Sequence, residues 1–195
     1  MNRNLLFGTC VMLYVTVFAA TVLPASAQSF SEVSLHSGTE VQNDPRWNMV
    51  SYSHTAESLG PNNPLPAGMH RLIGHEKVSA SVGINLSRAH LKQFNHARYD
   101  IALIPTLRYT FNQRWYVSGG LGAAYNDLDE EDSENVRLKL GGRWFFAPEI
   151  KFGVVLTRQS HPWFLELIYG HLSNGALSEP NSGLDFFTLG LGARF

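Results

Sequence analysis

The sequence predicts an all-β protein, an eight-stranded antiparallel up-and-down transmembrane barrel with a polar interior and a lipid-facing apolar exterior. Three observations support this fold class. Apolar residues alternate with small or polar residues at a period of two along most of the chain. The polar face of these segments carries charged residues, and aromatic residues lie near the segment ends. An apolar outside and a charged inside are typical of outer-membrane barrels.

The alternation defines eight segments, two weak ones followed by six strong ones. In chain order they read SEVSLHSG, WNMVSYSH, KVSASVGINL, YDIALIPTLRYTF, RWYVSGGLGAAY, WFFAPEIKFGVVL, WFLELIYGHLS and LDFFTLGLGARF. In the last segment Phe187, Leu189 and Leu191 share one face, while Thr188 and Gly190 lie on the other. Eight strands suit a small closed barrel whose interior is filled by side chains.

Charged residues decide which face of the barrel is inside. They fall on the face with the small residues and comprise Arg108, Glu149, Lys151, Glu166 and Arg194. We expect the interior members of this set to form ion pairs within the barrel. A soluble, lipocalin-like barrel with its apolar face inward is the alternative fold.

The lengths of the connections fit a barrel with both termini on one side. The segments NQR and RQSHP are short, whereas RAHLKQFNHAR, NDLDEEDSEN and SNGALSEPNSG are longer and belong to the external side. The connection ESLGPNNPLPAGMHRLIGHE is long where a short turn is expected. It is either a periplasmic insertion or a sign that the early strands are miscounted.

The first 27 residues read as a secretory signal peptide. Arg3 precedes an almost wholly apolar run, and Ala25-Ser26-Ala27 forms a small-x-small cleavage site. The remaining residues, 28–195, are expected to form one outer-membrane barrel domain of a Gram-negative cell. The one cysteine, Cys10, lies in the signal segment, so no disulfide or thiolate metal site is expected in that domain. The net charge of −1 gives no indication of nucleic-acid binding.

Three polar residues near the end of the chain suggest catalysis. His171 and Ser173 continue the apolar parity of the seventh strand, and Asp185 continues that of the eighth. If Ser173 lies opposite Gly183 in a hairpin, His171 lies opposite Asp185 with Cβ atoms roughly 4.5–5.5 Å apart. Ser173 then lies roughly 6.8 Å from His171 along the strand, at about 3.4 Å per residue.

These residue types are those of a nucleophile, a base and an orienting acid. A serine hydroxyl needs a base to take its proton, and the base needs a carboxylate to fix its tautomer. The side-chain amide of Asn174, or backbone N–H groups of the turn, would hold the oxyanion. The alternative is a polar rim, where strands leave the bilayer.

The same stretch resembles the active-site hairpin of the PagL-type lipid A 3-O-deacylases. That family's pattern is His-x-Ser-Asn, a short loop, Pro-Asn-x-Gly, an aliphatic residue and an acid. Here the matching residues are His171, Ser173, Asn174, Pro180, Asn181, Gly183, Leu184 and Asp185. Weaker similarity extends back to about residue 98. One departure is Asp185, since a family member has Glu at that position.

The resemblance implies an outer-membrane serine esterase. His171 would be the base, Ser173 the nucleophile and Asp185 the acid, with Asn174 near the oxyanion. The substrate would be lipid A of lipopolysaccharide, from which the 3-O-linked 3-hydroxyacyl chain is hydrolysed without a cofactor. The expected partners are outer-membrane lipids. The resemblance does not decide between a monomer and a homodimer. A small non-enzymatic structural or adhesive barrel is the alternative function.

Other polar residues have weaker functional readings. The cations Arg88, Lys92 and Arg98 lie near the external ends of two strands and would pair with lipid A phosphates. The histidines do not combine with carboxylates at metal-ligand spacing, so no metal site is expected. The acidic run at residues 129–134 reads as a solvated external loop, with divalent-cation binding as the alternative.

Overall fold

The protein is a closed eight-stranded antiparallel barrel. The computed structural model describes residues 29–41, 46–56, 77–91, 96–127, 143–175 and 183–195. Each strand pairs with its neighbours in the chain, and the eighth pairs with the first. The strands are β1 Ser29–Glu40, β2 Arg46–Ala56, β3 Val78–Leu91, β4 His96–Thr110, β5 Trp115–Asn126, β6 Trp144–Val155, β7 Trp163–Leu172 and β8 Leu184–Arg194. The predicted fold class is confirmed.

The two weakly patterned early segments are true strands. β1 pairs with β2 through Leu35 and Val50, and β2 pairs with β3 through Val50 and Leu86. The early strands were therefore not miscounted, and β2 ends and β3 begins at the end of the barrel that carries the short turns. Several features named from the sequence lie outside the described residues. They are the predicted signal peptide, the long connection after β2, Lys92, the acidic run, and Pro180 with Asn181.

The apolar face of the barrel points outward. Leu35 is 64% exposed, Ile150 58% and Leu189 54%, and they belong to a belt of large apolar side chains around the wall. Exposing one such side chain to water costs about 1.5–3 kcal/mol relative to burying it, and the belt contains many of them. The belt is therefore suited to contact with lipid. The soluble alternative required the opposite orientation, so it is excluded. No helix in the described ranges is long and apolar enough to cross a membrane.

Ion pairs fill the interior, as the charge pattern predicted. Glu32 accepts hydrogen bonds from Arg108 and Arg194, the latter with an Nη2–Oε1 distance of 2.9 Å. Lys151 Nζ lies 2.7 Å from Glu149 Oε1. Removing one partner from such a pair leaves an uncompensated buried charge, so the network fixes the strands that carry it. The central role of Glu32 was not predicted, because the alternation in β1 is weak.

Small residues on the inner face of β8 make room for large side chains from neighbouring strands. A Cβ added at Gly190 would lie 2.0 Å from Nδ1 of His36. One added at Gly192 would lie 2.2 Å from Cζ of Phe164. The alternation of glycine with leucine in this strand therefore follows from packing inside and lipid outside.

Candidate active site on the barrel wall

The hairpin of β7 and β8 brings two of the three candidate catalytic residues into direct register. His171 lies opposite Asp185, and Leu172 lies opposite Leu184. This is the register that the sequence predicted. The ladder ends there, because Gly183 has a positive φ of 64° and turns the chain away. The expected pair of Ser173 with Gly183 is therefore not part of the ladder.

The imidazole of His171 and the carboxylate of Asp185 form a hydrogen bond on the outer wall. The distance from Nδ1 of His171 to Oδ1 of Asp185 is 2.8 Å. An ionised carboxylate only accepts hydrogen bonds, so Nδ1 carries the proton in this pair. In the neutral imidazole Nε2 is then the nitrogen without a proton, which is the form that a general base requires. Both side chains are partly exposed, so the pair is accessible from outside the barrel.

A third residue, Tyr169, contacts the same carboxylate. Its hydroxyl donates to Oδ1 of Asp185 at 2.7 Å. Tyr169 lies two residues before His171, and its ring packs against Phe187 with centroids 4.9 Å apart. Sequence reasoning assigned Tyr169 to the lipid-facing side and missed this contact. The spacing of two indicates only that Tyr169 and His171 share one face of the strand, because the contact itself depends on the rotamer of Tyr169.

Ser173 follows Leu172, the last residue of β7 that pairs with β8. It pairs instead with Phe146 on β6. Its N–H donates to the carbonyl of Phe146 on β6 at 3.2 Å, and its carbonyl accepts from the N–H of Phe146 at 2.7 Å. Ser173 is half-buried, like His171. The N–H of Gly175 donates to Oγ of Ser173 at 3.4 Å. A backbone donor thus lies beside the candidate nucleophile.

Asn174 does not share the exposed surface of its neighbours. It is 2% exposed and follows the buried parity of Gly170 and Leu172. A route to the oxyanion through its side-chain amide is therefore not favoured by this geometry. The other route in the sequence-based prediction uses backbone N–H groups of the turn, and one of these, the N–H of Gly175, lies 3.4 Å from Oγ of Ser173.

A proline interrupts the sheet beside the candidate base. The β6–β7 ladder runs to Glu149 opposite Gly170 and resumes as the isolated bridge between Phe146 and Ser173. Pro148 lies between them, opposite His171, and it has no N–H to donate to the ladder. The strand pairing is therefore weakened at the level of His171.

The interruption adjoins an apolar groove on the outer wall, with a volume of about 440 Å³. The outward residues that line it are Pro105, Leu107, Gly119, Leu121, Pro148, Ile150, Tyr169 and His171. Gly119 lies between Leu107 and Ile150 in the register, and a Cβ added there would have nothing within 4 Å. The groove therefore exists partly because this outward position has no side chain. His171 is one of its lining residues.

The predicted phosphate-binding residues divide between the two faces of the barrel. Arg88 is exposed on the outer wall, with its guanidinium carbon 5.8 Å from the ring centroid of Tyr99. Arg98 is fully buried inside, where its Nε donates to Asp100 at 3.1 Å and the guanidinium faces the Trp47 ring. The prediction that Arg98 reaches lipid phosphates is therefore wrong. In the described ranges, no three histidine, cysteine or acidic side chains cluster closely enough to hold a metal ion.

The sequence matches a known protein family. The family model for "Lipid A 3-O-deacylase (PagL)" matches residues 71–194, which include β3 to β8. A curated relative is the lipid A deacylase PagL of Bordetella bronchiseptica (strain ATCC BAA-588 / NCTC 13252 / RB50). It is 29% identical over 92 residues, which are 47% of this chain and 47% of the relative. The match therefore spans about half the length of that protein.

Solved structures share the architecture. The crystal structure of the outer membrane enzyme PagL matches with a TM-score of 0.60 and 15% identity, over 83% of this chain and 97% of that one. Neisserial surface protein A matches with a TM-score of 0.54 and 10% identity, over 85% and 94% of the two chains. These identities establish the barrel fold alone. Because the family model covers more than half of the sequence, the chain belongs to the lipid A 3-O-deacylase (PagL) family.

Proposed function

We propose that this protein is an outer-membrane serine esterase that hydrolyses the 3-O-linked 3-hydroxyacyl chain of lipid A. The observation that carries the proposal is the hydrogen bond of 2.8 Å between His171 and Asp185 on the outer wall. A purely structural barrel gains nothing from a histidine and an acid on its lipid-facing side, where polar groups are costly. Family membership supplies the substrate class.

The proposed reaction has two steps, and both use His171 as the base. In the first, Oγ of Ser173 attacks the ester carbonyl while its proton passes to Nε2 of His171. The tetrahedral intermediate then collapses, the bond to the sugar oxygen breaks, and His171 returns the proton to that oxygen. The products of this step are the acyl-enzyme on Ser173 and a lipid A with a free 3-hydroxyl.

In the second step, water replaces the sugar oxygen. His171 takes a proton from the water, which attacks the acyl-enzyme carbonyl, and the proton then passes to Oγ of Ser173 as the ester bond breaks. A 3-hydroxy fatty acid leaves. Throughout, the carboxylate of Asp185 stabilises the imidazolium that forms at His171. The backbone N–H of Gly175, which lies near Oγ of Ser173, is the proposed donor to the developing oxyanion.

The position of the site suits a substrate that stays in the membrane. His171 borders an apolar groove on the wall, so an acyl chain lies along the groove while its ester reaches Ser173. The lipid then needs no extraction from the leaflet, and the apolar belt is where acyl chains already contact the protein. Arg88 is exposed on β3, four strands around the barrel from β7, so the lipid A phosphate proposed to contact it belongs to a different lipid from the one at Ser173.

Mass spectrometry of lipid A tests the proposal. Cells that produce the protein should contain lipid A shortened by one 3-hydroxyacyl chain, and cells that produce Ser173→Ala should not. Loss of a triad member lowers the rate by roughly 10³–10⁶-fold. The Ser173→Ala barrel should fold as the parent does, because Ser173 is held by backbone bonds to Phe146 that alanine keeps. Unchanged processing by folded Ser173→Ala would remove Ser173 as the nucleophile.

A further inference from the structure

Tyr169 and His171 donate to the same oxygen atom of Asp185. The two donor distances to Oδ1 are 2.7 Å from the Tyr169 hydroxyl and 2.8 Å from Nδ1 of His171. The three residues form a compact set on the outer wall, because Tyr169 and His171 are two apart on β7 and Asp185 lies opposite His171 on β8. A hydroxyl that donates to a carboxylate makes a short, charge-assisted bond of the stronger kind.

The second donor has a geometric consequence for the acid. A single hydrogen bond from His171 leaves the carboxylate free to rotate about its terminal torsion, which is broad for aspartate. A second donor from a different direction fixes the position of Oδ1. The tyrosine ring is itself held, since it packs on Phe187, its register partner on β8.

We propose that Tyr169 is a positioning residue, which holds the carboxylate of Asp185 where it orients His171. This inference rests on the proposed function. It also accounts for the departure from the family pattern, because aspartate is one methylene shorter than the glutamate expected there. The shorter acid reaches His171 with its carboxylate anchored by Tyr169, whereas a longer acid has the reach to contact the imidazole without that anchor.

The first test is Tyr169→Phe, with Tyr52→Phe as its matched control. Tyr52 is also an outward tyrosine of similar exposure, but it lies on β2 and its hydroxyl faces Ser31. Purified barrels in detergent micelles are assayed for fatty-acid release from lipid A. Tyr169→Phe should lower kcat roughly tenfold or more with KM unchanged, as expected for a lost bond to a charged group. Tyr52→Phe should leave both constants unchanged.

The same assay separates positioning from contact with the acyl chain. Tyr169 also lines the groove, so a role in binding the chain would raise KM and leave kcat as it is. That result, or an unchanged kcat, would overturn the proposal.

A double-mutant comparison tests whether Tyr169 acts through Asp185. In the Asp185→Glu background the longer side chain moves the carboxylate relative to the tyrosine hydroxyl. Adding Tyr169→Phe there should lower kcat by less than about threefold, so the two changes should not add. Equal losses in the two backgrounds would mean that Tyr169 works through some other group.

A spectroscopic measurement keeps this inference distinct from the proposed function. In ¹⁵N-histidine-labelled protein, the His171 signals, assigned by their loss in His171→Gln, should indicate a proton on Nδ1. In Tyr169→Phe they should shift toward a mixture of tautomers. Unchanged signals would refute the positioning role even if the enzyme is active. An inactive parent protein with the expected shift would instead refute the proposed function and leave Tyr169 as the anchor of Asp185.

Discussion

Gly183 lies directly against the imidazole of His171. A Cβ built on Gly183 would lie 2.7 Å from Cε1, closer than real Cβ contacts allow, and 3.2 Å from Nε2, which is tighter than most such contacts. Its φ of 64° is also in the region that favours glycine. Because Gly183 has no side chain, the imidazole of His171 has room in its observed position. Its Nε2 is the nitrogen proposed to take the proton of Ser173.

The first prediction is that Gly183→Ala inactivates the enzyme more than it destabilises the barrel. The added methyl group displaces His171, and a shift of about 1 Å in a catalytic group costs on the order of 10²-fold in rate. The strained backbone adds a loss of roughly 1–2 kcal/mol in the free energy of unfolding. Deacylation assays and urea titrations in micelles measure the two effects.

Gly83→Ala is the control for this change. A Cβ at Gly83 would make ordinary contacts at 3.6 Å and longer, so stability and activity should both be retained. Full activity of a folded Gly183→Ala protein would mean that the ring of His171 does not need its observed position.

The second prediction concerns the acid. Asp185→Asn should lower the rate on the order of 10³–10⁴-fold, because an amide accepts a hydrogen bond but does not stabilise the imidazolium and favours the wrong tautomer. Asp185→Glu should retain substantial activity, since glutamate is the residue that the family resemblance leads one to expect. Both are measured as release of the 3-hydroxy fatty acid.

Glu179→Gln is assayed beside them, because Glu179 is the other acid of the loop and lies outside the described residues. It should remain active. An inactive Glu179→Gln together with a fully active Asp185→Asn would contradict the triad proposed here.

The hairpin register could be predicted because two constraints agree in it. The parity of the apolar residues fixes which side chains face lipid, and the glycine at 183 marks where the strand begins. A slip of one residue would have turned His171 and Asp185 to opposite faces. The inside-out orientation was equally predictable, since Arg108, Glu149 and Lys151 need partners and only the interior offers them.

Side-chain directions at strand ends were harder to predict. The sequence predicts Arg98 to be an external cation, because the alternation of the fourth segment begins at Tyr99. The strand begins at His96, and the same parity rule then places Arg98 inside with Asp100. The contact of Tyr169 with Asp185 depends on rotamers, and the apolar groove depends on which residues of β4 and β6 flank Gly119 in the register. Neither is encoded in spacing along one strand.

The third prediction tests the outward face. Leu167 and Leu189 are register partners in the middle of β7 and β8, and both are exposed on the outer wall. Leu189→Arg should lower the free energy of folding into bilayers by about 2–4 kcal/mol if the position lies near the midplane. Leu189→Phe should have little effect, because it keeps an apolar group in contact with lipid.

Folding into lipid vesicles, followed by the shift of folded barrels on unheated gels, measures this difference. Spin labels at positions 167 and 189 provide an independent check. They should be shielded from water-soluble relaxation agents, and full accessibility to such agents would contradict the lipid-facing assignment.

The last prediction concerns the groove beside His171. Gly119 faces outward, and a side chain placed there meets open space, so Gly119→Leu should fold normally while filling part of the groove. If the acyl chain of the substrate lies there, the variant should lose activity on lipid A and keep most of it on a short-chain ester, which reaches Ser173 without entering the groove. The activity of Gly119→Ala on lipid A should lie between that of the parent protein and that of Gly119→Leu. Val50→Leu adds volume on another part of the outer wall and should leave both activities unchanged. Equal losses on long and short esters would instead mean that position 119 affects the catalytic residues and not the path of the chain.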